Sequence, residues 1–347
     1  MDLKVLSAES NEWEKALEHI PVSNKDLNYT PQWFRSWIEH EKAEPFCLYL
    51  EFEGYHILYP FFLSKITNYD LNHDYFDIQS AYGYGGVIAN SNHIPPFIEA
   101  KFNSLTDEWL HDNNVIAEFI RENPLIKSIK RDASYSIVRQ NVYVETNSDY
   151  KIPDKQARQN VNKAINNGLT ILYDTDLNYL QEFTDLYKKT ADRLEMLPYY
   201  HFENSYFDNI LKLLKEYTTL IHILLNDQII ASGLYFLYND RATLHLVGSD
   251  ANCLNLRAND LLYSAAIQFS IKGGAKTLNV GGGTSNDPAD TLFRFKSKYS
   301  KIWKPVMIGK KILNSEVFNK LTDYWEKGHP QLVDKYEKYF LKYRIDV

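Results

Sequence analysis

Apolar and aromatic residues dominate both sides of Glu53-Gly54 in the run FCLYLEFEGYHILYPFFL (46–63), which predicts two strands around a tight turn. Downstream, 96–112 has a helical pattern and NVIAEFI (114–120) reads as a short buried strand. The second half repeats this order. TTLIHILLNDQIIASGLYFLYNDRATLHLVGSD (218–250) predicts three antiparallel strands turning at Asn226-Asp227 and Asn239-Asp240. NLRANDLLYSAAIQFSIKGG (255–274) then has helical spacing with Gly273 and Gly274 as a stop, and KTLNV (276–280) is a further strand. Between the halves, ETNSDYKIPDKQARQ (145–159) is polar and carries Pro153, so the chain is expected to divide at about 150 into domains 1–150 and 151–347. A basic helix ending at Gly168, a strand, and a second helix over 177–194 open the later domain.

Length and composition agree with two ordinary domains: 347 residues, 44% hydrophobic and 24% charged. The amino terminus lacks a basic segment followed by an apolar one, and no run of about 18 apolar residues occurs, so neither export nor a membrane span is expected. Cys47 and Cys253 alone give no disulfide framework and no metal-ligand spacing, which fits a cytoplasmic protein. A net charge of −7 opposes DNA binding over the whole surface, although a local basic strip survives that average. One such strip exists. Arg294, Lys296, Lys298, Lys301, Lys304, Lys310 and Lys311 fall between 291 and 315 with no acid among them, and they suit tRNA, a nucleotide-sugar pyrophosphate or the phosphates of coenzyme A. Two glycine clusters are the remaining signal. Gly83, Gly85 and Gly86 sit among Tyr82 and Tyr84 in a chain with only 14 glycines, and Gly281 to Gly283 follow a strand; each marks a place where something approaches the backbone closely.

YFDIQSAYGYGG (75–86), ARQNVNKAINNGL (157–169), DLYKKTADR (185–193), LHLVGSD (244–250) and LFRFKSKYS (292–300), in this order, resemble the Fem-type (FemAB-like) branch of the GNAT acyltransferase superfamily. The resemblance spans roughly residues 29 to 301. It implies an α/β fold of two tandem GNAT-like domains with mixed sheets facing each other across a cleft, the segment after about 302 returning to the first. No stretch sustains heptads, so the coiled-coil arm of some members is absent. The implied activity is transfer of an acyl or aminoacyl group, by direct attack, to an amine or hydroxyl of an amino sugar, nucleotide sugar or peptidoglycan-like precursor of cell-envelope or surface-polysaccharide biosynthesis.

Residue by residue, the resemblance makes Asp77 the acid that orients or deprotonates the acceptor and Lys296 the cation for a phosphate or a developing oxyanion. Tyr82, Tyr84 and Gly85 would hold the substrate, with Arg193, Tyr235 and His245 lining the cleft. Arg257 stands where acetyl-CoA enzymes of the superfamily place a glycine-rich phosphate cradle, but no glycine accompanies it; with Lys298 it is the candidate donor contact. The donor is then acyl-CoA or aminoacyl-tRNA, with no tightly bound cofactor and no metal. The partners are a small-molecule sugar or peptidoglycan-precursor acceptor and, for the second donor, tRNA, with membrane contact at most peripheral. The competing reading from another class is a non-catalytic module that binds a glycan or nucleotide through its tyrosines.

Overall fold

The computed structural model describes residues 2–127 and 129–345. Its first elements are β1 (Leu3–Ser7), α1 (Asn11–Glu18), α2 (Pro31–Glu41), β2 (Glu44–Phe52), β3 (Tyr55–Lys65), β4 (Phe76–Gln79), β5 (Ile88–Ala89), α3 (Pro96–Asp112), β6 (Val115–Arg121) and β7 (Ser134–Glu145). They are followed by α4 (Lys155–Asn166), β8 (Thr170–Asp174), α5 (Leu180–Arg193), α6 (Asn204–Leu213), β9 (Thr218–Leu225), β10 (Gln228–Tyr238) and β11 (Arg241–Ser249). The last are α7 (Ala258–Lys272), β12 (Thr277–Gly282), α8 (Thr291–Lys296), β13 (Ile302–Ile312) and α9 (Ser315–Gly328).

Two compact units result, Met1–Ser136 with Met307–Val347, and Ile137–Val306. The division falls at 136/137 instead of about 150. The reason is the ladder of β7, whose Asn141, Tyr143, Val144 and Glu145 pair with β12, while Val142 and Val144 enter the core of the second unit. Met307–Val347 belongs to the first unit because Ile308 to Ile312 of β13 pair with β6, and α9 packs on the same sheet through Phe318, Leu321 and Trp325.

Each unit is built on the same plan. In the first, strand order is β1-β2-β3-β4-β6-β13, antiparallel throughout except for the parallel pair β4/β6, which is joined through α3. In the second it is β8-β9-β10-β11-β12-β7, antiparallel except for β11/β12, joined through α7. A parallel neighbour needs a crossover, and a helix laid on the sheet supplies it. The hairpins expected from the hydrophobic pattern form where expected. Glu53 and Gly54 adopt φ of 49° and 79°, and Asn226 and Asp227 adopt 48° and 63°, the left-handed pairs that a two-residue turn between twisted strands requires.

Helix α2 shows how local sequence sets an element. Thr30 caps it by accepting from the Trp33 amide at 3.1 Å, Pro31 occupies the first turn, and Trp33, Phe34 and Trp37 form one buried face. Helix α7 differs: Ala258, Leu261, Leu262, Ala265, Ala266 and Ile267 bury it on most sides, as befits the crossover at the centre of its unit.

Candidate active site

Lys296 ends the short helix α8, and what surrounds it comes from three other segments of the second unit. Its Nζ donates to the Gly282 carbonyl at 2.9 Å. At Gly281, where φ is +76°, an added Cβ would stand 2.8 Å from that same Nζ. At Gly282 a Cβ would lie 2.2 Å from the Gln140 carbonyl on β7. The close approach that the triple glycine signals is therefore by the chain itself: a strand end is pressed between β7 and a lysine, and no side chain larger than hydrogen fits.

Two further groups fix this turn. Asn279 Oδ1 accepts from the Gly281 amide at 2.8 Å and lies 3.4 Å from Asn141 Nδ2. Asp290 caps α8 by accepting from the Phe293 amide at 2.9 Å, and it also accepts from the Thr284 amide and hydroxyl at 2.8 and 2.7 Å. These bonds hold the Asp290 carboxyl well below the usual carboxylate range. Burial, aided by the Arg139 guanidinium and opposed by Asp290, brings Lys296 down to about 7. Its ammonium is thus poised to gain or lose a proton near neutrality, a property concentrated at functional sites.

A cavity of about 210 Å³ adjoins this corner. It lies at the start of α7 and is lined by Arg257, Asn259, Asp260, Ser249, Phe295 and Lys298, so Phe295, next to Lys296, and Lys298, two residues beyond it, reach the cavity. Arg257 and Lys298, 41 positions apart in the sequence, are brought to the same space. Arg257 has φ +66° and precedes α7 directly. A glycine-free sequence has reached the left-handed backbone that glycine usually supplies at such turns, with the first-turn amides of α7 beyond it. Two acids share the cavity. Asp260 is engaged by Tyr299 Oη and Asn160 Nδ2, both at 3.1 Å, and Asp250 by the Asn252 amide at 2.9 Å.

The other expected residues lie elsewhere. Asp77 is wholly buried on β4, where Arg344 Nε reaches both its oxygens at 2.8 and 2.6 Å and Arg344 Nη2 continues to the Ser64 carbonyl. Burial raises its carboxyl, against the pull of Arg344. In this place it meets a guanidinium of its own unit. Tyr82 stacks on Trp37 at 4.6 Å, Tyr84 is buried, and Gly85 fits because a Cβ would meet the Ser80 Cβ and Oγ at 2.8 Å. The first glycine cluster thus packs against its own unit. Tyr235 is a core residue with its hydroxyl 3.0 Å from Ser270 Oγ, too deep to touch a ligand. His245 is half-buried 2.9 Å from Tyr206 Oη, and burial lowers it to about 3, which keeps it neutral. Arg193 is exposed at the end of α5, 3.5 Å from Ser249 Oγ.

Three cations of the basic strip are engaged within their own units: Lys296 turns inward, Lys311 pairs with Asp107 at 2.8 Å, and Lys310 lies over the Phe340 ring. Sequence reasoning missed Arg139, Asn141, Asn279 and Asp290. Of these only Asp290 carried a signal, as an acid immediately before the helical run TLFRFK.

Residues 154–297 match the family of the Acetyltransferase (GNAT) domain, a span that contains the whole of the Lys296 turn except its β7 side. The fold of the whole chain is similar to the crystal structure of FemX, at 15% identity and TM-score 0.66 over 92% of this chain and 99% of that one. It is also similar to the C-terminal domain of a putative lysylphosphatidylglycerol synthetase from Agrobacterium fabrum, at 13% identity and TM-score 0.56 over 89% and 94%. A tandem GNAT protein from the clavulanic acid biosynthesis pathway matches at 8% identity and TM-score 0.50 over 90% and 99%. No curated protein matches the chain in sequence. The GNAT acetyltransferase domain at 154–297 makes this protein an acyltransferase, and its fold is like those of FemX and of a tandem GNAT protein.

Proposed function

We propose that the protein transfers an acyl group from an anionic donor, whose phosphates contact Arg257 and Lys298, to an amine or hydroxyl of an amino sugar, nucleotide sugar or peptidoglycan-like precursor. One observation carries this reading: Lys296, with its lowered pKa, is flanked in sequence by Phe295 and Lys298, which together with Arg257 line a cavity. The cavity is smaller than the 300–1,000 Å³ typical of whole ligand pockets. A pyrophosphate fits it better than an entire donor does, so the acyl end extends outside.

In direct transfer the acceptor attacks the acyl carbonyl, the carbonyl oxygen gains charge, and the donor's thiolate or alkoxide leaves as the tetrahedral centre collapses. Lys296 in its ammonium form suits the developing oxyanion, because its charge is compact and its surroundings exclude much of the solvent. The acceptor's proton passes to solvent or to the leaving group. Asp77 and Arg344 stay outside this chemistry and hold β4 in place.

Acyl-CoA is the donor this reading favours. Calorimetric titration with acetyl-CoA is expected to give saturable binding that weakens about tenfold in Lys298→Ala, a loss of about 1.4 kcal/mol. The sequence resemblance to the Fem-type branch implies a second donor, aminoacyl-tRNA. Absence of any heat with acetyl-CoA, together with binding of charged tRNA, would replace the first donor with the second.

A further inference from the structure

On β7, two residues before Asn141 and therefore on the same side of the strand, stands Arg139. It is half-buried, and its Nε is buried with no hydrogen-bond partner among the described residues. The carboxylate nearest in the electrostatics of Lys296, that of Asp290, already takes donors from Thr284, Ser285 and Phe293. Asn141 Oδ1, on the same side of β7, would lie 2.6 Å from a Cβ at Gly282, and Lys296 Nζ bonds the Gly282 carbonyl, so both cations belong to the same glycine turn, where the Asp290 carboxylate is committed to backbone and hydroxyl groups. A buried guanidinium donor without an acceptor is costly unless a ligand supplies one.

We infer that Arg139 is a second cation of the Lys296 site and that the two together hold an oxyanion of the substrate, either a phosphoryl group or a carboxylate. The inference rests on Lys296 being a functional residue, and it adds a chemical requirement on the substrate that acyl transfer alone does not impose. A guanidinium fork matches the planar or tetrahedral oxygens of such a group, and a lysine adds a point charge. Burial first, then two charged groups, set the state of Lys296 here: Arg139 lowers its proton affinity and Asp290 raises it. A bound anion offsets the repulsion between Arg139 and the Lys296 ammonium, so it raises the affinity of Lys296 for its proton.

The test reads that proton directly and needs no acyl-transfer assay. Trace acetic anhydride labelling across a pH series, followed by mass spectrometry of the Lys296 peptide, gives the titration midpoint of the amine in the full chain. In the wild type the midpoint is expected near 7. It is expected to rise in Arg139→Gln, to stay low in Arg139→Lys, and to rise in the wild type, but not in Arg139→Gln, when an anion binds. Inorganic phosphate and acetate are the two probes: a response to phosphate alone points to a phosphoryl group, and a response to both points to a carboxylate as well. If Lys296 titrates low but neither Arg139→Gln nor either anion moves it, the assignment of Arg139 is overturned while Lys296 keeps its role. If Lys296 labels like a surface lysine, the functional reading of Lys296 falls and the inference falls with it. Should Arg139→Gln fail to fold, the wild-type anion series and Arg139→Lys decide the matter alone.

Discussion

At Lys296 one side chain couples stability to chemistry. Folding lowers it from 10.5 to about 7, so between these values the unfolded chain binds more protons than the native one. Its penalty is fully present below the lower value and fades as pH rises towards the upper. The stability of the wild type relative to Lys296→Met is therefore expected to rise between about pH 6 and about pH 10, measured by thermal unfolding of both proteins across that range. Because the ammonium is the form assigned to the oxyanion, kcat/KM is expected to fall as pH rises through the same lower value. An increase instead would make the neutral amine the active species. Asp77 and Arg344 lie 267 residues apart in sequence yet form an ion pair whose carboxylate is fully buried and whose guanidinium is partly exposed. Arg344→Met leaves that carboxylate with the Tyr343 hydroxyl but without its cation and is expected to cost about 1–3 kcal/mol in urea unfolding.

Among the elements, α8 depends on a single cap. Asp290 both starts the helix and ties down the loop that begins at Thr284. Asp290→Ala is expected to cost about 1 kcal/mol in stability, the usual loss of a helix cap, with a larger fall in activity because the helix carries Lys296. Gly282→Ala sets a methyl group 2.2 Å from the Gln140 carbonyl, where β7 and β12 cannot separate without breaking their ladder. A loss of about 1–3 kcal/mol in the unfolding midpoint is expected from such overpacking. The strands of 46–63 and 218–250 were legible in sequence because alternation and turn residues are local properties. The short α8 was not, since six residues hold too little periodicity to separate a helix from a strand.

On the scale of the molecule, the return of the chain after 306 completes the first unit. A chain ending at 306 lacks the partner of β6 and the cover given by Phe318, Leu321 and Trp325, leaving Ile66, Ile116 and Ala117 bare on one face of the sheet. It is expected to aggregate or to bind a hydrophobic dye, whereas the full chain does neither, as monitored by size-exclusion chromatography and dye fluorescence. Among the described residues no helix is long and apolar enough to cross a membrane.

The two repeats of strands, helix and strand were present in the hydrophobic pattern, and five short motifs carried the resemblance to the Fem-type GNAT branch. Lys296, Arg257 and Lys298 could also be singled out from their sequence, because a motif or a charge run is visible without coordinates. Their environments could not. Lys311 was one of a run of cations until Asp107, 204 residues earlier, proved to be its partner, and Tyr235 was a cleft candidate until the strand buried it. The glycines at the end of β12 promised a close approach, yet only the tertiary structure decided that β7, Lys296 and Asp290 are what comes close. Periodicity and turn chemistry act between neighbours along the chain, whereas burial and charge pairing depend on which distant segments folding brings together.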